Sequence, residues 1–489
     1  MFDHYNRLGF MTPYYVWRDG RIVTRRTYSD IIGLVDGPRR IDATSVIEIV
    51  SRYFCFADRT LVEGIYRTPW MARPNSSCTE WAFAPVPSHD QQLMPADEVA
   101  KNLFDRLQQE ILDYCKSHSK IGLLLSGGMD SRIVAGTMDF LIRTGQLSAD
   151  VLAITWGTED SRDVVYAREI ARRLDWAWRF YRLSPDNLLE NISYAAERGC
   201  EYSPIHLDAM PRVREIEDLD CIVAASYGDS VGRGEYSGRH IAKKRAFHNH
   251  TFNWFGLLQR TVVSEALHNR INQDIERYRL QFPRGATYQE REIDQQAHYW
   301  RRMLNPTFAV IDEMTPVLQA FSSPSVFGFM WSLAPEARND KVYRHMLDLF
   351  STDLSDIPWS RTGLPYLSSD GISDGYSRLH APYGKWIRQE IYGTIRQKVT
   401  SSAIERLGLF NMESIRSCLD VSYRFANQDG HTKLDEILIW IASLADFVEL
   451  YGVEGAKRKS DWLDNLSGKI VAPLEATAVL GLNKMRGYG

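Results

Sequence analysis

Apolar and polar positions divide the chain into three stretches of different period. Over residues 1 to about 95 the apolar runs are short and interrupted by turn residues: Tyr14-Tyr15-Val16-Trp17, then Arg18-Asp19-Gly20-Arg21, then Ile22-Val23-Thr24. Asp-Gly suits the positive backbone angles of a tight turn, so the pattern predicts a β-hairpin. Pro69, Pro74, Pro85 and Pro87 mark a loop-rich exit. From about residue 96, helix-period and strand-like patterns alternate. Ala96 to Cys115 repeats Val99, Leu103, Leu107 and Ile111 at helical spacing. Ile121 to Leu125 and Val151 to Trp156 are continuous apolar runs, as expected of strands covered on both faces. Arg179 to Leu183 and Cys221 to Ala224 predict a third and a fourth strand. Between them, Arg132 to Arg143 reads as a helix, and Asp163 to Leu174 as an amphipathic one with Val164, Ala167, Ile170, Ala171 and Leu174 on one side. Repeated strand–helix units with short connections predict an α/β fold with a doubly wound parallel sheet.

Beyond about residue 240 the pattern is mainly helical, with aromatic and charged positions mixed. Ile437 to Phe447 is the most apolar segment, but it carries Asp446 and is shorter than the roughly 20 residues that span a bilayer. It predicts a buried helix. The expected organisation is a short β-rich region at 1–95, an alternating strand–helix core at 96–240, and a mainly helical region at 241–489 that packs on the sheet edge.

Length and composition narrow the classes. A chain of 489 residues exceeds one compact core. With 58 basic and 62 acidic residues and a net charge of -4, nothing suggests a nucleic-acid or membrane surface. Six scattered cysteines without a CxxC pair argue against a zinc site or disulfide framework and for a reducing cytoplasm. The N-terminal residues lack the pattern of a signal peptide.

The chemistry concentrates in Ser126-Gly127-Gly128-Met129-Asp130-Ser131, set between a predicted strand and helix. Two glycines let the backbone turn sharply and approach a phosphate, and amides at a helix start form an anion cradle. Ser126 and Ser131 add hydroxyls. Asp130 would repel phosphate by itself, so it implies a Mg2+ ion bridging carboxylate and pyrophosphate. The loop lacks the Gly-Lys-Ser/Thr ending of a Walker A motif. A bare Ser-Gly-Gly would be an ordinary turn; the full string in this context reads as a nucleotide site.

The string resembles the PP-loop of the N-type ATP pyrophosphatases. The surrounding chain is similar to the synthetase half of asparagine synthetase and its relatives, the β-lactam synthetases and lasso-peptide cyclases. Arg59-Thr60-Leu61-Val62-Glu63-Gly64-Ile65 resembles a segment upstream of that family's loop. Thr155-Trp156-Gly157 with Asp163 and Tyr166-Ala167-Arg168 resembles its second strand and helix. Glu313-Met314-Thr315-Pro316-Val317-Leu318 is similar to its Glu-Ala-Arg-Val-Pro-Phe-Leu segment. The resemblance runs from about residue 50 to 370, and only the PP-loop in it is highly specific.

The resemblance implies an adenine nucleotide alpha hydrolase-like fold and a two-step reaction with ATP and Mg2+. A carboxylate attacks the α-phosphate, giving an acyl-adenylate and pyrophosphate; ammonia or an amine then displaces AMP to form an amide. The implied ATP and pyrophosphate contacts are Leu124, Leu125, Ser126, Gly127, Gly128, Asp130, Ser131, Ile154, Thr155, Ser226 and Gly228. Asp130 and Asp229 are the implied metal carboxylates, with Ser230 where the family usually has Glu. Tyr227 lies near the family's catalytic Glu or Tyr, one residue out of register, and is either catalytic or a stacked structural tyrosine. Arg361, in Pro358-Trp359-Ser360-Arg361-Thr362-Gly363, takes the place of the family's lysine; it can clamp an anion but not act as a base. Glu313 either orients the incoming amine or is structural.

About 120 residues precede the loop, with Phe2 where glutamine-dependent members carry a cysteine, so a full glutaminase half is not expected there. The amine is then ammonia, free or from a partner, or a substrate's own amino group. The expected acid is a small-molecule, sugar-acid or peptide carboxylate, without nucleic acid or membrane as partner. External amine is favoured over ring closure, as in macrolactam or β-lactam formation, because the short N-terminal region resembles the cyclases' longer one poorly. A tRNA-modifying PP-loop enzyme predicts a basic face and catalytic cysteines that this composition lacks. A non-catalytic nucleotide-binding protein is the third alternative.

Overall fold

The computed structural model describes residues 1–9, 13–235, 237, 240–241, 253–370, 374–455 and 462–483. The predicted hairpin forms: Asp19 and Gly20 adopt φ of 51° and 72°, and strand β1 (Tyr14–Arg18) runs antiparallel to β2 (Arg21–Arg25) with Arg18 opposite Arg21. Helices α1 (Tyr28–Ile32) and α2 (Ala43–Arg52) follow, each started by a side chain that accepts from a first-turn amide, Thr27 and Asp42. β3 (Tyr66–Arg67) pairs with the other edge of β1, and β4 (Ala72–Pro74) with β5 (Trp81–Phe83) makes a separate ribbon.

This region shares its core with the far end of the chain. Tyr28 packs between Phe447 and Tyr451, with ring centroids 5.6 and 5.3 Å away. Both rings belong to the helix Lys433–Tyr451, which contains the apolar run expected to form a buried helix. It opens on a Thr432–Asp435 capping box and stops at Gly452, whose φ of 61° is the left-handed conformation that glycine supplies cheaply. No helix among the described residues is long and apolar enough to cross a membrane.

The alternating middle of the chain forms the expected doubly wound sheet. After α3 (Ala96–Cys115) come β6 (Lys120–Leu124), α4 (Met129–Arg143), β7 (Asp150–Gly157), α5 (Arg162–Arg173), β8 (Ala177–Arg182), α6 (Pro185–Glu197) and β9 (Cys221–Ala224). A three-residue edge strand, β10 (Val317–Gln319), completes the order β10-β9-β6-β7-β8, all parallel. β10 comes from the part of the chain expected to be helical, so the sheet draws on residues beyond 240. A run of three residues is too short to show a period.

The continuous apolar runs are explained by burial on both faces. Leu123, Ala153 and Val223 point into a core with α3, α4 and α5. Their neighbours Leu124, Ile154, Ile222 and Ala224 point into a second core with Ala195 of α6 and with Phe308 and Ile311 of the helix Asn305–Asp312. Truncating one such side chain to alanine costs about 2–5 kcal/mol. Because every strand runs the same way, their C-terminal ends deliver Ser126, Trp156, Ala225 and Gln319 to one edge of the sheet, where open α/β sheets bind ligands.

Candidate active site

The loop after β6 is held in a fixed shape by its own serines. Ser131 Oγ accepts from the Ser126 amide and lies against Ser126 Oγ, both at 3.1 Å, while Ser126 Oγ accepts from the Gly128 amide at 3.1 Å. Thr155 Oγ1, beneath the loop, donates to the Leu125 carbonyl at 2.9 Å. The glycines serve space rather than conformational freedom. Gly128 sits at φ -70°, which any residue adopts. At Gly127 a Cβ would fall 2.8 Å from the Arg162 carbonyl and 3.1 Å from Ser360. The expected sharp turn is therefore a close approach of three segments. The Gly127 amide is also engaged, together with the Ser360 hydroxyl, by the Asp163 carboxyl.

A buried arginine clamps the loop from below. Arg132 is fully buried and has only carbonyls around its guanidinium: Ile357 at 2.6 Å, Pro358 at 2.7 Å, and Leu354 and Gly127 at 3.3 Å. Burial lowers its pKa to about 10, which leaves it charged at neutral pH. It ties the glycine loop to the segment that carries Trp359 and Arg361.

Above the loop, Asp130 meets Asp229. Gly228 lets them approach: a Cβ there would lie 2.6 Å from Asp130 Cβ and 2.8 Å from the Tyr343 hydroxyl. That hydroxyl donates to the Gly228 carbonyl at 2.9 Å. Burial raises the Asp130 carboxyl above its usual range, with Arg233 and Tyr343 opposing and Glu235 adding. Asp229 is pushed well up by burial and then by Asp130 itself. Two carboxylates that disfavour each other's charge suit a cation, and Mg2+ is commonly held by one or two carboxylates plus substrate phosphates. Among the described residues no group of three or more His, Cys, Asp or Glu side chains converges as a complete metal cage. The pair fits an ion that phosphate and water would finish coordinating.

Arg233 and Arg361 stand beside this pair. Arg233 reaches Asp130 at 3.4 Å and Glu235 at 2.5 Å. Arg361 grips Glu235 through two bonds of 2.6 and 2.9 Å and lies over the Trp359 ring at 4.6 Å. Arg361 is thus linked to the acidic pair through Glu235 and Arg233.

Asp130 opens onto a cavity of about 320 Å³ that is also lined by Leu124, Leu125, Ser126, Gly128, Ser131, Ala225 and Ser226 and by Trp156, Phe308, Asp163, Asp208 and His380; Asp229, Arg233 and Arg361 do not line it. The Ser226 amide is fixed by the Gln319 side chain at 3.2 Å. Ile154 and Thr155 lie beneath the surface and support the wall, so they are corrected from expected contacts to supports. Trp156, the next residue, faces the cavity in their place.

Two expected catalytic residues lie elsewhere. Tyr227 is fully buried, edge-on to Trp300 with ring centroids 5.4 Å apart, and its hydroxyl is 3.4 Å from Asn305. Past the end of β9 the chain turns, so that Ala225 and Ser226 take the cavity and Tyr227 takes the core. Glu313 precedes β10 and therefore sits at the opposite end of the sheet. There Arg198 holds it through a bidentate pair, one bond at 2.8 Å, and Arg214 lies at 3.5 Å. Neither lines the cavity beside the loop. Three further lining residues, Asp163, Asp208 and His380, were not among the expected site residues; the first opens a helix, and the others lie on loops 172 residues apart with no motif spacing.

Residues 102–315 match the family model described as asparagine synthase. A Methanocaldococcus jannaschii protein named as a candidate glutamine-hydrolyzing asparagine synthetase is 30% identical over 101 residues, 20% of this chain and 17% of that protein. The match therefore spans less than one fifth of that relative's length. Among solved structures, a U34-tRNA thiolase from Methanococcus maripaludis with a 4Fe-4S cluster aligns at 14% identity over 45% of this chain and 78% of its own, with a TM-score of 0.21. An NMN synthetase from Francisella tularensis aligns at 14% identity over 45% and 94%, with a TM-score of 0.22.

Proposed function

We propose, from the premise that residues 102–315 form an asparagine synthase-type PP-loop domain, that this protein is an ATP-dependent amide ligase working through an acyl-adenylate. The observation that carries the reading is the Ser126–Ser131 loop with Asp130 brought against Asp229 at the C-terminal edge of a parallel sheet. A carboxylate oxygen attacks the α-phosphorus of ATP, and the bond to pyrophosphate breaks. Ammonia or an amine then attacks the acyl carbon, and AMP leaves.

Each residue's role follows from its place. Ser126, Ser131 and the start of α4 receive the phosphates, where helix amides favour an anion. Asp130 and Asp229 would hold Mg2+, which neutralises charge on the departing pyrophosphate. Arg361, released from Glu235, has the fork to grip a phosphate. Arg132 keeps the loop and the Trp359 segment in register, because misplacement of reacting groups by an ångström costs about 100-fold. Trp156 and Phe308 offer an apolar wall to the base or acyl portion.

The acid is a small-molecule, sugar-acid or peptide carboxylate, and the amine is external: ammonia, free or from a partner. Carboxylate-dependent exchange of labelled pyrophosphate into ATP tests the first step, using a panel that includes L-aspartate and D-glucuronate. Exchange with at least one acid, abolished in Asp130→Ala, is the expected result. Exchange indifferent to every acid would remove the reading.

A further inference from the structure

With Tyr227 and Glu313 away from the cavity, the second step lacks a group to take the amine's proton. Another residue of the cavity supplies one. His380 lines the same cavity as Ser126 and Ser131, and its Nε2 is held by Asp208 Oδ1 at 3.1 Å. Asp208 is itself fixed by the Tyr383 hydroxyl at 2.5 Å. Its backbone takes φ 44° and ψ -121°, a strained conformation for a residue with a side chain. The His380 main chain is anchored too, since its carbonyl accepts from Thr158 at 2.8 Å, just past the end of β7. A carboxylate gripping one imidazole nitrogen fixes the tautomer and leaves the other nitrogen basic.

We infer that His380 is the general base of the amide-forming step and that Asp208 is its positioning residue. The inference rests on the adenylation reading above. As the amine nitrogen bonds to the acyl carbon, His380 Nδ1 takes one N–H proton; the acyl C–O bond breaks, and its electron pair leaves with AMP. Asp208 then stabilises the imidazolium.

The groups facing His380 set its pH behaviour. Burial alone would lower its pKa, but Asp208, through charge and hydrogen bond, and then Asp163 raise it above the usual value. Tyr383 packs edge-on at 5.5 Å, and His206, itself 3.4 Å from Glu436, lies behind. Because the base must be unprotonated, amide formation rises with pH through a value above 6.5. Asp208→Asn removes the largest raising influence and moves that inflection to lower pH.

The test separates the two steps in the same protein. With an acid that supports exchange, His380→Gln retains pyrophosphate exchange within about threefold, while ammonium-dependent AMP release falls about 100- to 1,000-fold. Hydroxylamine, a nucleophile that is neutral near pH 7, still captures the acyl group as a hydroxamate. NMR titration of His380 in Asp208→Asn checks the lowered pKa independently of turnover. The assignment is overturned if His380→Gln raises the ATP requirement and depresses exchange equally, which would make His380 a nucleotide contact. It is also overturned if ammonium-dependent release is unaffected. Absence of acid-dependent exchange in the unaltered protein is a distinct signal: it overturns the adenylation reading and the base with it.

Discussion

The two ends of the parallel sheet treat charge in opposite ways. A larger cavity of about 780 Å³ runs along the edge strand β10, and its lining toward the N-terminal end includes Arg26, Arg198, Arg214, Asp312 and Glu313. Its charges are matched: Arg198 and Arg214 on Glu313, Arg26 on Asp312 at 2.9 Å. At the C-terminal end Asp130, on the wall of the smaller cavity, is crowded against Asp229, with Glu235 beside them and Arg233 shared among several acids. Size is thus a poor guide. Pairing with opposite charge satisfies a fold, whereas like charges held together against their own repulsion need something from outside.

Substitutions at the two ends should therefore diverge. The largest effect is expected for Asp130→Ala or Asp229→Ala, which should reduce pyrophosphate exchange by about 1,000-fold; circular dichroism should show the fold intact. Arg132→Met comes next. Removing the guanidinium leaves several buried carbonyls without a donor, so denaturant unfolding should register a loss of roughly 3 kcal/mol, with exchange reduced as the loop loses its brace. Arg132→Lys should recover little, since one ammonium cannot span four carbonyls. Glu313→Gln should cost roughly 2 kcal/mol in unfolding while leaving exchange per folded molecule within about twofold. A collapse of activity there would place chemistry at the wrong end of the sheet and break the comparison. The smallest effect belongs to Tyr227→Phe, about 1 kcal/mol or less in stability, with both half-reactions intact; loss of amide formation alone would restore Tyr227 to the reaction.

The sequence made one end of this contrast readable and left the other dark. Ser126 to Ser131 could be read because six adjacent residues carry the chemistry, and the flanking apolar runs announced the strand and helix around them. Asp229 was reachable through its turn. Tyr227 lies in the core because the turn after β9 carries Ala225 and Ser226 to the cavity and the next side chain away from it. Glu313 lies at the other end of the sheet because it precedes the three-residue strand β10. Arg132 gave no sign of being a clamp, as an arginine at a helix start ordinarily points to water. Asp208 and His380 meet only through the fold, by way of loops that no periodicity describes. Crowding by Arg162 and Ser360, which no local pattern announces, rather than backbone angle excludes a side chain at Gly127.

A crystal grown with Mn2+ and a non-hydrolysable ATP analogue addresses the central claim most directly. The account predicts an anomalous peak between Asp130 and Asp229, with the phosphates against Ser126 and the start of α4. A peak and nucleotide in the arginine-lined cavity at the other end of the sheet, with the Asp130–Asp229 pair still bare, would contradict it.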